Sequence, residues 1–444
     1  MVTCTSKKNS YTQEQLYEQT SSGVVLIQNT YYYKITLSNN GFYSTNYVFS
    51  KLQDGELKNI SHTISNNFNE VNDTIKSTTF GTGFIISPRG TIVTNSHVIN
   101  PTANKALIYQ AFITYLKEEI DKCNQRIAIE QHDLDIFEKE IRDNKRLNSQ
   151  GYAMMIEGIQ MCKKTIKAYT EYRDNRLREM GLSNFEVELC SEIKIAYNGS
   201  HITSSNDLID CFVVKDVPNY DLGIIQIADG NNFWNVCKLG EAPKWSYEQM
   251  EVGWSNIHNA GTISWFTIPQ DKYIFNLYNN ETHNDEEIKL YMIGYNQGPT
   301  LALTNDGIKA QITQGYISQN TDSIKIMYSI PALQGSSGSP VVNQYGELVA
   351  INFAGINNTQ GFNYGIRVER LREIVNDKSV KDRMTVRQWL KEQVVDILKQ
   401  VGFVTDEIPA SVAMERINTL AISNECIDKV KNAYDYIIQE GAIK

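Results

Sequence analysis

The chain has 444 residues, of which 41% are hydrophobic and 21% charged, and its formal net charge is −9. This is the composition of a soluble globular protein, long enough for about three units of ordinary size. The acidic balance excludes the basic footprint of a nucleic-acid binder, and no apolar run approaches the roughly 18 residues of a membrane span. The opening stretch MVTCTSKKNSYTQEQL holds two lysines but no apolar core and no small-residue cleavage site, so no secretory leader is predicted. A short helix follows over Gln13–Gln19. Strands are then predicted at Gly23–Gln28, Tyr31–Leu37, Gly83–Ile86 and Thr91–Thr94, the last two flanking a Ser-Pro-Arg-Gly turn.

From Lys105 to Met180 the texture changes. Apolar residues fall at helical spacing: Leu116, Ile120, Cys123, Ile127, Leu134, Phe137 and Ile141, then Tyr152, Met155, Ile159, Cys162, Ile166 and Tyr169. A polar break at Asn148-Ser149-Gln150-Gly151 separates the two stripes, which predicts an antiparallel helical hairpin. Strand texture resumes at Phe185–Leu189 and continues through Asp221–Ile227, Lys289–Gly294, Gln311–Ser318, Ile324–Tyr328, Pro340–Val342 and Leu348–Phe353. Many short strands with Gly-containing turns point to a barrel or sandwich. Helices return after Val368, at Thr385–Val401, Ser411–Ile422 and Asn424–Glu440. The seven cysteines, Cys4, Cys123, Cys162, Cys190, Cys211, Cys237 and Cys426, are odd in number and scattered, with no C-x-x-C pair. A reduced, cytoplasmic setting fits them better than a disulfide framework or a zinc site, and neither metal nor cofactor is predicted.

Three segments carry chemistry. In Gly335-Ser336-Ser337-Gly338-Ser339-Pro340 a serine sits on a tight turn whose N–H groups can converge on a developing oxyanion, as acyl transfer requires. Ser339 stands where the G-x-S-x-G elbow of α/β-hydrolases needs glycine, so that elbow is not present. In Thr94-Asn95-Ser96-His97-Val98-Ile99 a histidine follows the predicted strand directly, a rigid mount for a general base. In Asn219-Tyr220-Asp221-Leu222-Gly223-Ile224-Ile225-Gln226-Ile227 an aspartate opens an apolar strand. There it is either a turn residue or the carboxylate that orients a histidine.

Together these segments resemble the trypsin-like serine proteases of the chymotrypsin fold, and in particular their HtrA-type branch. The order His, Asp, Ser is that of the fold. Gly81-Thr82-Gly83-Phe84-Ile85-Ile86, Tyr291-Met292-Ile293-Gly294-Tyr295, Ile312–Ser318 and Gly361-Phe362-Asn363-Tyr364-Gly365-Ile366 resemble the family's flanking strands. The resemblance implies Ser337 as nucleophile, His97 as general base and then acid, and Asp221 as its orienting partner. It also implies an oxyanion hole from the N–H groups of Gly335 and Ser337. It places substrate contacts at Pro331, Ala332, Asn352, Phe353, Ala354, Gly355 and Phe362, with the strand through Asn352 pairing with bound peptide.

The expected architecture is a mainly β double barrel over 1–104 and 182–375, interrupted by a helical hairpin at 105–181 and followed by a helical module at 376–444. Three departures from the family stand out. His97 and Asp221 are 124 positions apart, with the hairpin between them. Glu241–Glu287 is a second, Trp/Tyr/Asn-rich insertion, and no PDZ-like domain follows the protease. The expected activity is endopeptidase cleavage of a protein substrate, with an activator or adaptor protein engaging the hairpin or the C-terminal helices. A catalytically silent scaffold of the same fold is the alternative. Secreted digestive relatives bury a newly freed N-terminus against an aspartate immediately before the nucleophile. Here that position is Ser336, so activation by propeptide cleavage is not expected.

Overall fold

The structure is a computed structural model and describes residues 10–39, 43–63, 68–88, 90–101, 103–144, 148–227, 268–278, 288–355 and 362–376. The predicted C-terminal helices and most of the insertion at 241–287 lie outside them. The helices are α1 (Gln13–Thr20), α2 (Ser96–Ile99), α3 (Lys105–Asp143), α4 (Ser149–Met180), α5 (Pro299–Ala302) and α6 (Val368–Asn376). The first set of strands comprises β1 (Val24–Asn39), β2 (Tyr43–Phe49), β3 (Lys51–Gln53), β4 (Glu56–Lys58), β5 (Ser61–Thr63), β6 (Ser77–Ile85), β7 (Thr91–Thr94), β8 (Asn184–Tyr197), β9 (Ile209–Val217) and β10 (Leu222–Ile227). The second comprises β11 (Lys289–Gly294), β12 (Leu303–Thr304), β13 (Gly307–Ile308), β14 (Gln311–Gln319), β15 (Lys325–Tyr328), β16 (Pro340–Asn343), β17 (Leu348–Gly355) and β18 (Asn363–Arg367).

By its contacts the chain divides into two units. Among the described residues, those up to Asn29, those within Thr79–Pro101 and those from Glu192 onward form the first, a double barrel. One ring closes as β1-β6-β7-β10-β9-β8, with β8 returning to pair with β1; the other closes as β11-β14-β15-β18-β17-β16. Val25, Ile27, Ile85, Ile92, Ile193, Ile195, Ile225 and Ile227 fill the first ring. Leu290, Met292, Ile326, Tyr328, Val341 and Ala350 fill the second. The alternate residues of the same strands, such as Val24, Leu26, Phe84, Val93, Leu222 and Ile224, pack with Tyr291, Ile293, Val342, Ile351 and Ile366 in a third core shared by both rings. Strands buried on both faces read as continuous apolar runs. This explains why Val24–Ile27 and Leu222–Ile227 show no polar alternation.

The second unit comprises Thr30–Thr78 and Thr102–Ser191. It contains the outer part of β1, strands β2 to β5 and the hairpin. Asn104 caps α3 by accepting from Ala106 and Leu107 N–H, and Asn148 caps α4 by accepting from Gly151 N–H. The root of α3, through Ile108, Ala111, Phe112 and Leu116, shares a core with Tyr31, Tyr33, Ile35, Tyr47, Phe49 and Leu57. Below it, buried Glu179 accepts from Tyr47 Oη at 2.7 Å and from Arg176 Nη1 at 2.8 Å. Farther out the arms face each other: Gly158 leaves room for the Phe137 ring, and Lys163 pairs with Glu138 at 3.3 Å. The hairpin is therefore not free-standing at its base. No helix among the described residues is long and apolar enough to cross a membrane.

Candidate active site

The antiparallel register of β7 and β10 places Gly223 opposite Thr94. The chain leaving β7 and the chain entering β10 therefore lie at the same end of the first barrel, which brings His97 to Asp221. His97 Nδ1 is 2.8 Å from Asp221 Oδ2 and 3.0 Å from Oδ1, and its backbone N–H donates to Oδ1 at 3.0 Å. An ionised carboxylate can only accept, so this contact assigns the ring proton to Nδ1 and leaves Nε2 as the basic nitrogen. The imidazole is 46% exposed and the aspartate side chain 23%.

Both mounts are fixed from behind. Asp221 caps a 3₁₀ turn at Pro218–Tyr220 in the left-handed conformation, φ 51° and ψ 44°, which aspartate tolerates better than most residues. Asn95 Nδ2 donates to the Asp221 carbonyl at 2.8 Å. Buried Asn29 donates to the carbonyls of Val98 (2.9 Å) and Ile99 (3.1 Å), clamping the turn of α2 that bears His97. β1 runs unbroken through Asn29 and Thr30, which lie between the two predicted strands Gly23–Gln28 and Tyr31–Leu37, and the Asn29 side chain is buried and engaged.

Ser337 lies in the loop between β15 and β16 and is partly exposed. Gly335 has φ +92° and Gly338 φ +87°; a side chain on Gly338 would sit 2.0 Å from Thr82 O and 2.4 Å from Thr94 Oγ1. The Ser337–Gly338 peptide is thus wedged against Thr82 of β6 and Thr94 at the end of β7, just before His97, and Thr82 N–H donates to Ser337 O at 2.8 Å. Among the described residues no hydrogen bond joins Ser337 to His97. The N–H groups of Gly335 and Ser337 find no acceptor among them either.

The other residues expected to meet substrate divide. Pro331 and Phe362 are exposed and Ala332 half-buried. Phe353 sits at an irregularity in the pairing of β17 with β18, between Asn352 and Ala354. Ala354 and Gly355 complete β17, where they pair with Tyr364 and Asn363. Asn352 is 2% exposed, its N–H donates to Ser339 O at 2.9 Å, and its carbonyl accepts from Gly338 N–H at 2.8 Å. Both backbone groups are occupied within the protein, so Asn352 does not offer them to a peptide. Thr82, noted in the sequence only within a flanking strand, has a hydroxyl that donates to Gly335 O at 2.8 Å and accepts from Tyr295 N–H at 2.9 Å. A hydroxyl between two strand glycines was the available signal.

Residues 187–351 match the family model of a trypsin-like peptidase domain. Among solved structures the chain is similar to the serine endoprotease from Yersinia pestis, at 15% identity over 84% of this chain and 68% of that one, with a TM-score of 0.35. No curated protein matches it. Over residues 187–351 the chain is thus similar to a trypsin-like peptidase domain, and its described strands form the two closed rings given above.

Proposed function

We propose that the protein is a serine endopeptidase in which Ser337, His97 and Asp221 form a catalytic triad. The observation that carries this is the two-point hold of Asp221 on His97 Nδ1 at the strand ends where the Ser337 loop is wedged. His97 Nε2 takes the proton of Ser337 as its oxygen attacks the scissile carbonyl carbon. The N–H groups of Gly335 and Ser337 stabilise the resulting oxyanion. Collapse breaks the C–N bond, His97 hands its proton to the leaving amine, and water then hydrolyses the acyl-enzyme by the same relay. The missing Ser337–His97 hydrogen bond would favour a silent scaffold, but in this chemistry that bond commonly tightens only when substrate binds. A fluorophosphonate decides: covalent labelling mapped to Ser337 by peptide mass spectrometry is expected. An unlabelled, folded protein would favour the scaffold.

The residue accepted before the scissile bond is apolar and of small to medium size. Six residues before Ser337, where a trypsin-like pocket places a carboxylate, stands Pro331, preceded by buried Ile330 and followed by Ala332. A basic side chain desolvated there without a partner would cost several kcal/mol. Peptide-library profiling should yield Val, Ala or Leu at that position; a dominant Arg or Lys would refute the assignment.

The hairpin recruits or senses a partner protein, and its outer part is not needed for catalysis. At about 1.5 Å per residue, the 39 residues of α3 extend roughly 58 Å. Only its root enters the core with β1, β2 and β4. A replacement should therefore spare Ile108, Phe112, Leu116, Arg176 and Glu179 and exchange residues 125–169 for a short Gly/Ser linker. The expected product is folded and reacts with the fluorophosphonate at close to the wild-type rate. It should fail to cleave the proteins that an active enzyme depletes from a cell extract. Unchanged cleavage of those proteins would show that the outer hairpin is dispensable.

A further inference from the structure

The loop bearing Ser337 is held through its carbonyls. Leu333 O accepts from Ser336 N–H at 3.0 Å, Gln334 O from Gln297 N–H at 2.6 Å, Gly335 O from the Thr82 hydroxyl and Ser337 O from Thr82 N–H. The remaining one, Ser336 O, accepts from Ser339 N–H at 3.0 Å and from Asn352 Nδ2 at 3.1 Å. In a trans peptide the C=O and the following N–H point in opposite directions. Fixing Gln334 O therefore aims the N–H of Gly335, and fixing Ser336 O aims the N–H of Ser337.

Asn352 occupies a special place in this arrangement. Its amide also donates to Ser336 Oγ at 3.2 Å, while Ser336 Oγ donates to Leu333 O at 2.6 Å. Its Oδ1 accepts from the Tyr328 hydroxyl at 2.8 Å, which fixes which end of the amide faces the loop. Tyr328 is fully buried within the second barrel, Asn352 is 2% exposed and Ser336 3%. Burial holds the phenol protonated, well above its ordinary range, so it remains a donor. A buried, satisfied polar chain of this kind favours one conformation, and loss of the Tyr328 hydroxyl would leave Asn352 Oδ1 without its donor.

We infer that Asn352, braced by Tyr328, is a positioning residue that aims the Ser337 N–H and the nucleophile by pinning the peptide between Ser336 and Ser337. The inference rests on the serine-peptidase reading above. It gives Ser336 a neutral partner at the position where digestive relatives carry a charged one. The loop is then set by Asn352 of the second barrel together with Thr82 of the first, with no cleaved N-terminus required.

The test uses the full chain and a fluorogenic peptide chosen from the wild type's own library profile. Asn352→Ala should lower kcat by about 10²-fold, in the range of losing one oxyanion donor, with KM within about threefold. Tyr328→Phe, which keeps the ring and removes only the brace, should lower kcat by about tenfold in the same pattern. A peptidyl boronate, whose tetrahedral adduct needs the oxyanion donors, should lose affinity in step with kcat. The intact peptide should bind Ser337→Ala and Ser337→Ala/Asn352→Ala equally well; a role in packing alone would weaken both ligands. If Asn352→Ala does not fold, Tyr328→Phe decides. Unchanged kcat in the folded variants, or a loss confined to KM, overturns the inference while leaving Ser337 labelling intact. Absence of wild-type labelling at Ser337 overturns both it and the reading beneath it.

Discussion

Ser337→Ala and His97→Ala are each expected to lower kcat by about five to six orders of magnitude, and the double variant to be no slower than either alone. The three groups act as one unit, so removing either the nucleophile or the base forfeits the whole relay. What survives, about 10³–10⁴-fold over water, comes from substrate binding and from the N–H groups of the Ser337 loop. That loop should persist in Ser337→Ala. Gly335, Ser336, Gly338 and Ser339 are held through backbone atoms and the Asn352 amide, and none of these bonds uses the Ser337 hydroxyl. His97 is half exposed and caps no core, so its loss should leave thermal unfolding within a few degrees of wild type. Hydrolysis of the fluorogenic peptide, normalised to folded protein, measures both effects. If Ser337→Ala retained fluorophosphonate labelling, the nucleophile would lie elsewhere. A labelled wild type without hydrolysis would instead mark a latent enzyme awaiting its partner.

The parts of this architecture that were legible in the sequence share a physical cause. β7, β10 and β11 are buried on both faces, so each shows neighbouring apolar residues without polar alternation and a turn at its end. The hairpin is legible because its arms pack on each other over many turns, which imposes helical spacing on the apolar residues. β9 escaped notice because Asp210, Lys215 and Asp216 interrupt it; in the fold these charges sit on a strand that is only partly buried. The root of the hairpin was not legible either. The contacts of Ile108 and Phe112 with Tyr47 and Phe49 join segments some sixty residues apart, and no local pattern encodes that. Asn352 is legible in the sequence as a strand residue beside the site, but its hydrogen-bond partners are not. An asparagine between Ile351 and Phe353 in an apolar strand is already a hint of a buried polar role. Which group it serves became apparent only when Tyr328 and Ser336 were found on either side of it.

Asp221→Asn is the second large effect: kcat should fall by about four orders of magnitude while the fold is unchanged. The backbone at Asp221 is left-handed, and asparagine accepts that conformation as readily as aspartate. The bond from Asn95 Nδ2 goes to the Asp221 carbonyl, which the substitution leaves in place. The Oδ1 of an asparagine can still accept from His97 N–H, as Asp221 does now at 3.0 Å. The second side-chain atom is what changes. Asp221 Oδ2, 2.8 Å from His97 Nδ1, is an acceptor and obliges Nδ1 to carry the proton. An amide nitrogen in its place is a donor and favours the tautomer with Nδ1 bare and the proton on Nε2, where the ring can no longer act as a base toward Ser337. The negative charge that stabilises the imidazolium is lost in the same step. The rate of fluorophosphonate labelling should fall in parallel with kcat, since both need the base. Binding of the uncleaved peptide, measured with Ser337→Ala as background, should be unaffected. Nitrogen-15 shifts of the His97 ring would report the exchange of tautomer directly. An Asp221→Asn enzyme within about tenfold of wild type would mean that another group orients His97, and the assignment of Asp221 would fall.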